Sequence, residues 1–117
     1  MMKLIEYSKC STCKKAKEYL KAHNLNFTVR EIKDETPNIN EINNWLEKYN
    51  IEINKLFNTS GLIYRSMNLK EKLKDLSNEE KIKLLSENAM LIKRPLLVLE
   101  NKLLIGFKEK EWDSILW

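Results

Sequence analysis

Apolar and polar positions change their period several times along this chain of 117 residues, and each change marks an element. Residues 2–7 alternate weakly, with Leu4, Ile5 and Tyr7 supplying the apolar side, and suit a short strand. From residue 11 to residue 23 the period becomes helical. Ala16, Tyr19 and Leu20 then share the inward face, and Asn24 stands where the helix should stop. Alternation returns over residues 26–32, with Phe27, Val29 and Glu31 on one side and Thr28, Arg30 and Ile32 on the other. Strand, helix, strand predicts a βαβ unit, in which two parallel strands are joined by a crossover helix.

The middle of the chain is helical. Thr36-Pro37-Asn38 opens it, Asn38 and Glu41 fit an N-cap pattern, and Ile39, Ile42, Leu46 and Tyr49 recur at helical spacing. Ile53, Leu56 and Phe57 predict a short second helix, and Thr59-Ser60-Gly61 a turn. Leu62, Leu69 and Leu73 belong to a further helical stretch broken near Asn68. Ser77-Asn78-Glu79-Glu80 is a capping box, ahead of Ile82, Leu84 and Leu85. The end of the chain changes character again. Leu96 to Leu99, then Glu100-Asn101, then Leu103 to Ile105 read as a β-hairpin ended by Gly106. Glu109 to Trp117 fits a closing helix with Trp112, Ile115 and Leu116 inward. The whole order is βαβ, a helical insertion over about 38–90, then ββα, on an expected single domain of residues 1–117.

Composition narrows the class. An apolar share of 43% supports one modest core. No apolar run reaches the length of a membrane span, and Met1-Met2-Lys3 does not open a signal peptide, so a soluble, cytoplasmic protein is expected. The net charge of +4 comes from lysines spread along the chain, which reads as a solvated surface and gives no expectation of direct nucleic-acid binding.

The chemistry sits in Cys10-Ser11-Thr12-Cys13, the only two cysteines, between the first strand and a lysine-rich helix. A thiol at a helix start meets unpaired N–H groups and the positive end of the helix dipole, which favour a thiolate, the nucleophilic form. Strand, Cys-x-x-Cys, helix reads as a thiol redox site, with Cys10 attacking and Cys13 resolving. A zinc site competes weakly, since zinc takes four ligands and the chain adds only His23, so no metal is expected. A structural disulfide would close a tiny loop and gain little, and a reducing cytosol disfavours it. A pair of buried thiols suits poorly a segment flanked by Lys9, Lys14 and Lys15. His23 at the helix end and Trp45, Trp112 and Trp117 read as capping and packing residues.

Five stretches together resemble the ArsC/Spx family of thioredoxin-fold proteins over essentially the full length. They are Tyr7-Ser8-Lys9-Cys10-Ser11-Thr12-Cys13-Lys14-Lys15-Ala16, Phe57-Asn58-Thr59-Ser60-Gly61, Tyr64-Arg65, Lys93-Arg94-Pro95 and Gly106-Phe107-Lys108. The resemblance implies an α/β thioredoxin-like fold, with a four-stranded mixed sheet flanked by helices and a cis-Pro95 beside the active cysteine. It implies that Cys10 is the nucleophile, that Arg65 and Arg94 bind an oxyanion, and that Ser11, Thr12 and Pro95 line the substrate. It further implies no bound cofactor, with glutathione or glutaredoxin as the reductant of an arsenate reductase-like or thiol oxidoreductase reaction on a small oxyanion or disulfide. Two departures are visible: Cys13 stands where arsenate reductases of this type carry serine, and Gly106-Phe107-Lys108 lacks their third arginine. Lys108 offers charge there but no planar fork. The second function that the resemblance implies is a redox-sensing, Spx-like transcription regulator, which binds the C-terminal domain of the RNA polymerase α subunit. There the Cys10–Cys13 disulfide is the switch and Arg94 transmits its state.

Overall fold

The computed structural model describes residues 2–116, so Met1 and Trp117, with the packing expected of the latter, lie outside the described residues. In chain order the elements are β1 (Met2–Glu6), α1 (Ser11–Ala22), β2 (Phe27–Glu31), α2 (Ile39–Lys48), α3 (Leu62–Ser66), α4 (Leu69–Lys72), α5 (Asn78–Glu87), β3 (Leu96–Val98), β4 (Leu103–Ile105) and α6 (Glu109–Leu116). Single 3-10 turns at Ile53–Leu56, Leu73–Asp75 and Ala89–Leu91 link the helices of the middle. The chain divides into two compact units. One holds the residues up to Glu31 together with Arg94 onward; the other is Ile32–Lys93.

The first unit is a mixed four-stranded sheet in the order β2-β1-β3-β4. β1 runs parallel to β2 and antiparallel to β3, and β4 closes a hairpin on β3. Register places Leu4 opposite Leu97 and Leu97 opposite Leu104, so these three project from one face. Ala16, Tyr19 and Leu20 of α1 and Trp112 of α6 bury that row. The predicted inward face of α1 is therefore the observed one. Val29 shares register with Leu4 but is 49% exposed, because β2 is the sheet edge. The hairpin is shorter than its apolar runs: Leu99 leaves β3 and its N–H donates to the Lys102 carbonyl at 2.9 Å, giving a four-residue connection.

Two local signals end elements as the sequence predicts. Asn24 follows α1 with φ 55, a left-handed conformation that asparagine tolerates. Gly106 follows β4 with φ 78, where a side chain would be strained. Gly106 also joins three segments, since its N–H donates to the Pro95 carbonyl at 2.8 Å and its carbonyl accepts Trp112 Nε1–H at 3.3 Å.

In the second unit the two longest helices, α2 and α5, carry side-chain caps. Asn38 Oδ1 accepts the Glu41 N–H at 2.8 Å at the start of α2. Ser77 and Glu80 exchange both hydrogen bonds of a capping box at the start of α5. Asn68, at φ 53, separates α3 from α4. Two expected inward residues point out. Ile39, the first residue of α2, is 46% exposed, and the buried face of α2 is carried by Ile42 and Trp45. Leu62 is 80% exposed, because the five-residue α3 is too short to own a buried face. Phe57 does not continue the turn at Ile53–Leu56 but pairs with Ile92 in an antiparallel bridge.

Candidate active site

The first unit builds its site at the C-terminal end of β1. After Glu6 the chain turns through Tyr7, Ser8 and Lys9, and the Cys10 N–H donates back to the Tyr7 carbonyl at 3.0 Å. Glu31 at the end of β2 accepts the Ser8 N–H at 2.9 Å, which ties this turn to the neighbouring strand. Glu6 lies opposite Glu31 in the parallel register, and its buried carboxylate takes Lys17 Nζ of α1 at 2.7 Å. The two adjacent acids thus have different work. Glu31 holds the loop, and Glu6 holds the helix that follows it.

Cys10 is the N-cap of α1. Its Sγ accepts the Cys13 N–H at 3.3 Å, taking the place of the oxygen that serine or aspartate supplies in an ordinary cap. Ser11 and Thr12 are exposed in the first turn, whose amides have no carbonyl partners within the helix. An anionic sulfur at Cys10 faces that end of the helix dipole. Both cysteines are reduced; Cys10 is half-buried and Cys13 fully buried. Burial pushes the Cys13 thiol up from 9.0 to about 12. A backbone hydrogen bond with Tyr7 opposes that shift, the hydrogen bond and charge of Cys10 add to it, and the Arg94 charge opposes it. Reaction at Cys10 removes the Cys10 contributions and eases ionisation of its neighbour.

Arg94 and Pro95 enter from the chain just before β3, joined by a cis peptide bond. The Arg94 guanidinium lies over the Tyr7 ring, 5.4 Å from its centroid. Cys10, Cys13, Tyr7 and Arg94 are thereby gathered in one unit, with Ser11 and Thr12 on the same helix turn. Pro95 is buried and fixed by its hydrogen bond from Gly106. Arg65 belongs to the second unit, where its Nη2 donates to the Ser60 carbonyl at 2.7 Å. Lys108 is exposed, and its carbonyl accepts the Trp112 N–H at 2.9 Å as α6 begins. Among the described residues no three His, Cys, Asp or Glu side chains are grouped to hold a metal ion.

Sequence reasoning did not assign Tyr7, Glu6, Lys17 or Glu31 to the site. Tyr7 had a signal, an aromatic ring three residues before the first cysteine. The Glu6–Lys17 pair and the Glu31–Ser8 contact join residues 11 and 23 apart, and no local pattern announces either.

A mixed sheet in this order, with a cysteine capping the first helix and a proline before the third strand, defines a thioredoxin-like fold. The chain belongs to the ArsC family, whose sequence pattern matches residues 5–115. It is 42% identical to the uncharacterized protein YusI of Bacillus subtilis, over 92% of each chain. It is 32% identical to the regulatory protein MgsR of the same organism, over 90% of this chain and 82% of that one. Among solved structures, a possible arsenate reductase from Streptococcus mutans superposes with a TM-score of 0.85 at 44% identity, covering 97% of this chain and 98% of that one.

Proposed function

We propose that the protein is a cytoplasmic thiol oxidoreductase of arsenate reductase type, with Cys10 as nucleophile and Cys13 as resolving thiol. The observation that carries this reading is the contact between Cys10 Sγ and the Cys13 N–H at the head of α1. It sets an accessible sulfur at a positive helix terminus and the second sulfur within one turn of it.

With a disulfide substrate, the Cys10 thiolate attacks one sulfur, a mixed disulfide forms, and one thiolate leaves. Cys13 then loses its proton and attacks the Cys10 sulfur, which releases the second thiolate and leaves a Cys10–Cys13 disulfide. The substrate gains two electrons and the pair loses them. With arsenate, Cys10 displaces an oxygen as water to form a sulfur–arsenic(V) bond. Attack by Cys13 on Cys10 breaks that bond, and the two electrons reduce arsenic to arsenite. Two glutathione thiols, or a glutaredoxin dithiol, return the pair to its reduced state. Arg94 supplies a planar fork for an anionic substrate, and Ser11, Thr12 and Pro95 complete the proposed binding positions of the first unit.

Identity of 32% with a regulatory protein favours a second reading, a redox-sensing regulator that meets the RNA polymerase α subunit. Two measurements separate these. Assays with glutathione and glutaredoxin should show turnover of arsenate or of a model disulfide, abolished by Cys10→Ser. Absence of both activities, with capture of RNA polymerase by the protein in only one oxidation state, would select the regulator.

A further inference from the structure

Tyr7 meets both cysteines and Arg94. Its carbonyl accepts the Cys10 N–H at 3.0 Å, its backbone hydrogen-bonds the Cys13 thiol, and its ring lies 5.4 Å beneath the Arg94 guanidinium. The ring and the reactive sulfur are therefore carried on one tight turn, with only Ser8 and Lys9 between them to fix their spacing. On the opposite side, the Arg94 backbone is steadied because the next residue, Pro95, is tied to Gly106. A guanidinium contact with an aromatic ring engages the face of the cation and makes no demand on the N–H groups in its plane.

We propose that Tyr7 is a positioning residue, whose ring seats the Arg94 guanidinium beside the cysteine pair and so gives Cys10 its preference for anionic electrophiles over neutral ones. This rests on Cys10 being the nucleophile. The consequence is a selectivity set by a residue that touches no substrate. Losing the ring face leaves the arginine charge in the protein but no longer held at the sulfur.

Two reagents of similar size read this directly. Iodoacetate and iodoacetamide each alkylate a thiolate, forming a thioether and expelling iodide, and they differ in charge. The ratio of their rates at Cys10, localised by mass spectrometry on the intact reduced protein, reports the positive potential there. Tyr7→Leu should lower the ratio about two- to five-fold, toward the value of Arg94→Gln. Tyr7→Phe should keep it, and Tyr7→Leu added to Arg94→Gln should change nothing more. If Tyr7→Leu does not fold, pentafluorophenylalanine at position 7 keeps the ring shape and inverts its electrostatics, and the ratio should still fall. A ratio unmoved by Tyr7→Leu, or by the fluorinated ring relative to Tyr7→Phe, overturns the inference. Labelling of Cys10 by iodoacetamide no faster than that of a free cysteine overturns the reading of Cys10 as nucleophile, and the inference with it. Rapid labelling with an unmoved ratio overturns the inference alone.

Discussion

Cys10 Sγ accepts the Cys13 backbone N–H at 3.3 Å, so the first sulfur caps the helix that carries the second. The two thiols are adjacent in structure and opposite in environment. One is half-exposed at a helix terminus and the other is sealed. That asymmetry assigns the order of events in the proposed chemistry and leads to the first expectation.

In the folded, reduced protein, a neutral alkylating reagent should modify Cys10 at least about 100-fold faster than Cys13, because a sealed thiol reacts only through opening. Peptide mapping after timed quenching measures both rates. Equal rates would remove the basis for attacker and resolver.

The raised Cys13 value has a sign that can be checked. The folded state keeps this thiol protonated up to about 12, while the unfolded chain releases the proton from 9.0. Between those values the unfolded state binds fewer protons, so stability falls as pH rises; below 9.0 the contribution is fully present. Denaturant titrations should show the wild type losing on the order of 1 kcal/mol more than Cys13→Ala between about pH 8 and pH 10.5. Parallel curves for the two proteins would contradict the burial argument.

Arg94→Gln should lower kcat/KM for an anionic substrate by about 10- to 100-fold, the loss expected of a charge-assisted hydrogen bond. Arg94→Lys should recover only part of it, because an ammonium lacks the planar fork and the ring contact. Steady-state kinetics on arsenate or an anionic disulfide reads both. Full recovery by lysine would mean that charge alone matters.

Glu6 is buried and its partner Lys17 is about one-third exposed. Lys17→Met should cost about 2 kcal/mol, since it leaves a carboxylate in the interior without its cation. The double variant Glu6→Gln with Lys17→Met should regain much of that loss. Chemical denaturation of the four proteins closes the cycle, and simple additivity would show the pair to be energetically silent.

Legibility from sequence followed the range of the interaction. Asn38, Ser77, Asn24, Asn68 and Gly106 act within a few residues of themselves, and each was readable as a cap, a stop or a break. The βαβ unit was readable because two alternating segments flank a helical period, and the hairpin because two apolar runs are joined by a short polar connection. Burial was less so. Ile39 and Leu62 carry the right residue type, but position at a helix end and helix length left them outside. Phe57 was placed by a partner 35 residues away, Ile92, which no periodicity names. The same holds for the site. Cys10 and Cys13 declare themselves by spacing, whereas the contact of Arg94 with Tyr7 depends on sheet topology that brings residue 94 back to the first turn.

The central place of β1 has a kinetic meaning. Its neighbours β2 and β3 clamp it from both sides, one parallel and one antiparallel, and the loop bearing Cys10 hangs from its end. Fraying at either edge of the sheet leaves that anchor in place. Reagents should thus reach Cys13 only when the first unit opens around the head of α1, which makes this second sulfur a built-in reporter of that opening, timed by the protein's own rate.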